Sequence, residues 1–147
     1  MAPSQRPSSR DIDISTSAKG PSLSWRATIL IWGGVFERFP RLRVAITEGT
    51  SIWVPPYLEL LDQRYSATHY AQKLGDYRSH LSMKPSEYFA RNVFACYWFE
   101  QIAPRRLIDK VGVDRILFET DFPHPTCLHG DAVPSAVANL DGLPEDV

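Results

Sequence analysis

The stretch that decides the fold is "VFACYWFEQIAPRRLIDKVGVDRILFETD", Val93–Asp121. It opens and closes on short apolar runs, VFACYW (93–98) and RILFET (115–120), that read as buried strands. Between them Leu107, Ile108 and Val111 share one face of a short helix, and Gly112 is a natural terminator. A strand, a helix and a second strand in that order imply parallel pairing through a right-handed crossover.

Upstream the alternation repeats. "RVAIT" (43–47) is a β-branched run that stops at Glu48-Gly49, and "PSEYFARN" (85–92) is a short helix with Pro85 in its first turn. Between these lies "SIWVPPYLELLDQRYSATHYAQ" (51–72), where Val54, Tyr57, Leu58, Leu61 and Tyr65 trace a helical face. Pro55-Pro56 is acceptable there only in the first turn, and a polar connection (73–84) follows. Ahead of RVAIT, Ala27, Ile31, Val35 and Phe36 recur at helical spacing, which predicts one helix ending near Phe39, before Pro40. Gly33-Gly34 costs an isolated helix about 1 kcal/mol each relative to Ala, so close packing is expected there. A last short helix is expected over 135–140. The fold class is α/β, and the strand ends bring Glu48, Tyr97-Trp98 and Asp121 to one edge, where such folds keep their ligands.

The composition is that of one soluble domain: 147 residues, 44% hydrophobic, 22% charged. A net charge of -1 gives no pull towards nucleic acid or an anionic membrane, and no run approaches the roughly 20 apolar residues of a membrane helix. Cys96 and Cys127 make no disulfide framework, so a reducing, cytoplasmic setting is the default. Residues 1–22, rich in Ser, Pro and Arg, are expected to be disordered, with the folded part over 23–147. Asp11 and Asp13 speak against a transit peptide, and the lack of an apolar stretch against a secretory signal.

Three segments, "GGVFERFPRLRVAITEGTSIWVPPYLELLDQRY" (33–65), "PSEYFARNVF" (85–94) and "VGVDRILFETDFPHP" (111–125), resemble the amidohydrolase-related family. This is the branch of metal-dependent (β/α)8-barrel hydrolases that includes aminocarboxymuconate-semialdehyde decarboxylase. The resemblance implies a partial TIM barrel covering the last three strands with their helices. It makes Asp121, at the end of the last strand, a ligand of a divalent metal, zinc by its chemistry, and a proton acceptor for metal-bound water. The family's His-x-His pair and middle-strand histidine have no counterpart among His69, His80, His124 and His129. Where decarboxylating members carry histidine in an Ala-His-Gly-Gly type of sequence, this chain has Glu48 in "TEGT". Hydrolysis of a small-molecule carbonyl substrate, or an activity of another kind, is therefore expected ahead of decarboxylation. A complete barrel takes about 250 residues, so the chain is expected to be a C-terminal portion, weak or inactive alone. It would be completed by an N-terminal half or by its own copies, or serve as an assembly module without chemistry.

Each site residue carries a plainer reading beside the functional one. Asp121 also suits a cap of the turn before Pro123. Glu48 is a general base or substrate contact, or an acid near the first turn of the next helix. His124 contacts substrate or orients a ligand, or packs on Phe122. Glu119 supports Asp121 or meets substrate, or pairs with Arg115 or Arg91. Trp98 lines an aromatic pocket or belongs to packing. The set Asp121, His124, Cys127 and His129 lacks the paired spacing of a structural zinc site, and Cys96 reads as core.

Overall fold

Strands β1 (Val44–Ile46), β2 (Val93–Tyr97) and β3 (Ile116–Phe118) lie side by side in chain order, all parallel. Val44 pairs with Val93, Ile46 and Ile116 both pair with Ala95, and Phe118 pairs with Tyr97. This computed structural model describes residues 20–147 apart from residue 126. The expectation for residues 1–22 lies outside the described residues up to residue 19, and helix α1 (Gly20–Trp32) takes in the last three.

The helices are α1, α2 (Val35–Arg38), α3 (Val54–Ser66), α4 (Thr68–Leu74), α5 (Pro85–Asn92), α6 (Ile102–Arg106), α7 (Ile108–Val111) and α8 (Ala132–Asn139). The core forms where one sheet face meets them. Val44, Ile46, Val93, Ala95 and Ile116 join Ala27, Ile31, Phe36, Val54, Leu58, Tyr88, Phe89 and Val111 in one cluster. Truncating a fully buried aromatic such as Phe36 or Phe89 to alanine typically costs about 3–5 kcal/mol.

Three expected helices are divided. The helix expected to run to Phe39 breaks at Gly33-Gly34, because Gly34 takes φ 65° and leads into α2. The close packing there is real: a Cβ on Gly34 would lie 3.0 Å from the His80 ring, and His80 Nε2 sits 2.8 Å from the Trp32 carbonyl oxygen. The long segment after β1 ends its first helix at Ser66, where Ala67 turns extended, and resumes as α4. The crossover between β2 and β3 is α6 and α7, parted at Leu107. Helix α8 begins at Ala132 rather than near 135.

Polar groups brace these joins. The Glu37 carboxylate accepts from the Ser82 N–H at 2.9 Å and from the hydroxyls of Ser82 and Tyr88. Those bonds stabilise the carboxylate and hold its pKa down at about 2. Asn92, fully buried, donates to the carbonyls of Pro40 (3.1 Å) and Leu42 (2.7 Å) and so fixes the approach to β1. Arg91 donates to the Phe36 carbonyl at 2.8 Å and lies over the Tyr88 ring, so it serves this brace and not Glu119. No helix among the described residues is long and apolar enough to cross a membrane.

Candidate active site

Parallel pairing puts the C-terminal ends of all three strands on one edge, and each end carries acid. Beyond β1 the chain turns through Glu48 and Thr50, both at φ 55°; beyond β3 it turns at Asp121, φ 60°. These are the three non-glycine residues with positive φ among the described residues. The left-handed region costs an ordinary side chain about 1–2 kcal/mol and is better tolerated by Asp and Asn.

The Asp121 side chain is 9% exposed, and its Oδ2 stands 3.3 Å from His124 Nδ1. His124 itself is half exposed, and its N–H donates to the Asp121 carbonyl at 2.8 Å, closing the turn that contains the cis Phe122–Pro123 peptide. The Phe122 ring stands edge-on to His129. The arrangement thus brings two expected site residues, Asp121 and His124, together in one turn.

Glu119 joins them from the other side. Its Oε1 accepts the Glu48 N–H at 2.6 Å, so β3 is stitched to the turn after β1 across the sheet. Burial, together with the charges of Asp121, Glu48 and Glu100, pushes the Glu119 carboxyl up to about 7. The Glu48 bond pulls the other way. Arg115 lies over the Phe94 ring, away from the pairing with Glu119 that the sequence suggested.

Glu100 is the acid that sequence reading missed. Its Oε1 accepts from the Ser51 N–H at 2.7 Å and from the Ser51 hydroxyl at 3.2 Å, and its Oε2 accepts the Trp98 N–H at 3.2 Å. The signal was available: Glu100 stands two residues past the end of a strand already assigned to this edge. Trp98 is buried, edge-on to Phe99, and its carbonyl accepts from buried Asn139 of α8 at 2.9 Å. Arg105 donates to the Ala138 and Asn139 carbonyls at the end of α8, which makes it a helix-end cap rather than a free surface charge. Cys96, on the same sheet face as Glu119, is buried, and burial with the nearby Glu119 and Glu100 charges pushes its thiol up to about 12. Such a thiol is inert.

Beside the rim, Thr50, Ile52, Trp53, Pro56, Tyr57 and Leu60 line a shallow depression of about 480 Å³. The Trp53 indole N–H donates to the carbonyls of Gly49 (3.0 Å) and Thr50 (2.9 Å) and closes the turn from beneath.

A metal ion needs several donors held together. Among the described residues no three His, Cys, Asp or Glu side chains are gathered to hold one, and His124 already faces one Asp121 oxygen. The described residues alone therefore do not fit a metal.

The family model described as amidohydrolase matches residues 12–147. A solved amidohydrolase from Mycobacterium avium subsp. paratuberculosis K-10 is 26% identical, with a TM-score of 0.69, over 86% of this chain and 30% of its own. The 5-carboxyvanillate decarboxylase of Sphingomonas paucimobilis is 28% identical, with a TM-score of 0.68, over 93% of this chain and 39% of its own. The 2,6-dihydroxybenzoate decarboxylase of Rhizobium, 21% identical with a TM-score of 0.54 over 92% of this chain and 49% of its own, shares the fold. No curated protein matches. The chain spans less than half the length of each of these solved relatives, as a sector of a TIM barrel does. With the family model covering nearly all of it, the chain belongs to the amidohydrolase family.

Proposed function

We propose that the chain supplies the C-terminal, strand-end share of an amidohydrolase-family active site that acts on a small-molecule carbonyl or carboxylate substrate. The observation that carries this is the gathering of Glu48, Glu100, Glu119 and Asp121 at one edge, together with the left-handed backbone at Glu48, Thr50 and Asp121. Backbone held in such regions clusters where function sets the geometry.

In this reading Asp121 and Glu48 exchange protons with the reacting atoms, His124 orients Asp121, and Trp98 flanks the substrate. In hydrolysis the carboxylate takes a proton from the attacking water and returns it to the leaving group. What supports that reading is Glu48 in "TEGT", standing where the resemblance places the histidine of decarboxylating members; the family match itself is shared by both reactions. The second reading is decarboxylation, in which the protonated group delivers its proton to the carbon that loses carbon dioxide. The 28% identity to 5-carboxyvanillate decarboxylase favours it. A divalent metal, zinc in our reading, belongs to the complete barrel, with Asp121 one ligand and the others supplied from outside the described residues. The sheet is completed by a second copy or by an N-terminal half, in a reducing, cytoplasmic setting that suits free Cys96 and Cys127.

An NMR titration with 5-carboxyvanillate tests the reading, run with zinc present because an anionic substrate meets an acidic rim. Amide shifts confined to residues 47–52, 97–101 and 119–124 are expected, with little or no turnover by the chain alone. Shifts scattered elsewhere sink the site. Where turnover is seen, carbon dioxide released from 5-carboxyvanillate marks decarboxylation, and a new carboxylate formed from a separate carboxylic-ester probe marks hydrolysis. Asp121→Asn should lower it about 100-fold or more, and an unchanged rate removes Asp121 from the chemistry.

A further inference from the structure

The turn from Glu48 to Trp53 divides the acidic rim from the apolar depression. It presents Glu48 on one side and Thr50, Ile52 and Trp53 on the other. Left alone it has every reason to be loose, since two of its residues sit in left-handed backbone without being glycine. Two carboxylates from neighbouring strand ends grip it instead. Glu119 accepts the Glu48 N–H, and Glu100 accepts both the N–H and the hydroxyl of Ser51. Ser51 is fully buried, so its N–H has no water to fall back on. The second oxygen of Glu100 is held by the Trp98 N–H, which aims the carboxylate across the sheet. The Trp53 indole closes the same turn from below.

We propose that Glu100 and Glu119 are positioning residues: they clamp the 48–53 turn and so fix together Glu48 at the rim and the wall of the depression beside it. The role given to the rim rests on the function proposed above; the clamp itself does not. A carboxyl oxygen that accepts a backbone N–H keeps that donor of the strained turn from going unmet, and a buried unmet donor is costly. The two grips are separable, because each holds a different amide.

The test is amide hydrogen exchange by NMR on the full chain, with the Trp53 indole N–H as a spectroscopic reporter. In the native chain the Glu48 and Ser51 amides should be protected. Glu100→Ala should speed Ser51 exchange about tenfold or more and move the Trp53 indole resonance. Glu119→Ala should do the same to the Glu48 amide. Glu100→Gln and Glu119→Gln keep an acceptor oxygen and should restore most of the protection, a rescue that a general loss of packing does not give. Core amides of Phe89 and Val93 serve as the control for unfolding. Unprotected Glu48 and Ser51 amides in the native chain overturn the clamp even where an alanine variant fails to fold. Alanine variants that leave both exchange rates unchanged overturn it too. These readouts need neither substrate nor turnover, so failure of the proposed activity and failure of the clamp are told apart.

Discussion

At the residue scale the informative group is Glu119, because burial and its acidic neighbours leave it half-protonated near neutrality, at about 7. A carboxyl whose folded pKa lies above its ordinary value of 4.5 favours the folded state fully below that ordinary value. The advantage is lost as pH rises through the folded pKa. The window is therefore about pH 4.5 to 7, with stability falling as pH increases across it. Glu119→Gln keeps an oxygen to accept the Glu48 N–H and removes the titration. Chemical denaturation at pH 5 and pH 8 should show the parent losing stability on the order of 1–2 kcal/mol more than the variant, once solvent screening of a partly exposed group is allowed for. Parallel pH profiles for parent and variant contradict this. The Trp98 ring is buried and edge-on to Phe99, and its backbone is tied to α8.

At the element scale, the order helix, strand, helix was legible because apolar spacing changes period between RVAIT, VFACYW and RILFET and the segments that join them. The ends of those helices were less so. Gly33-Gly34 carries two contradictory instructions: a helical apolar period runs through it, and φ 65° at Gly34 interrupts it. Only the tertiary contact with His80, 46 residues away in sequence, decides between them. Gly34→Ala should accordingly destabilise the chain by about 1–2 kcal/mol, from left-handed strain together with the tight approach to His80. Removing the ring contact with His80→Ala in the same chain should recover only the steric part. Thermal melts of the single and double variants measure the two. A Gly34→Ala chain as stable as the parent means that α1 and α2 can join into one helix at no cost. Glu48, Glu119, Asp121 and His124 stood out in the sequence because each lies at a strand end or in the turn after it, which is why the structure finds them at one edge. Glu100 follows a strand end in the same way, but its pairing with Ser51 was not legible, since it spans 49 residues and leaves no local pattern.

At the scale of the whole molecule, the helices pack on one face of the sheet. Among the described residues the other is only partly covered, with Cys96 buried and Arg115 over the Phe94 ring. Register puts Ala45, Phe94, Cys96 and Leu117 on that second face, where Ala45 is exposed and Leu117 is 42% exposed. In a complete TIM barrel this face is the packed interior, filled by side chains from alternate strands. Strands β1 and β3 also each have one neighbour among the described residues, so backbone donors and acceptors along both outer edges are open to pairing. An apolar face bordered by two open edges favours association, with another copy or with strands that complete the barrel. Sedimentation velocity on the purified chain should therefore show species larger than one chain. Leu117→Lys should shift the population towards monomer, because a charge on the association face opposes burial there. It should leave thermal stability of the monomer near the parent's, because the helix-packed cluster excludes Leu117. A parent chain that sediments as a single monomer and unfolds cooperatively would show that the three-stranded sheet is self-sufficient. The face would then be a solvent-exposed remnant of barrel architecture rather than a joint.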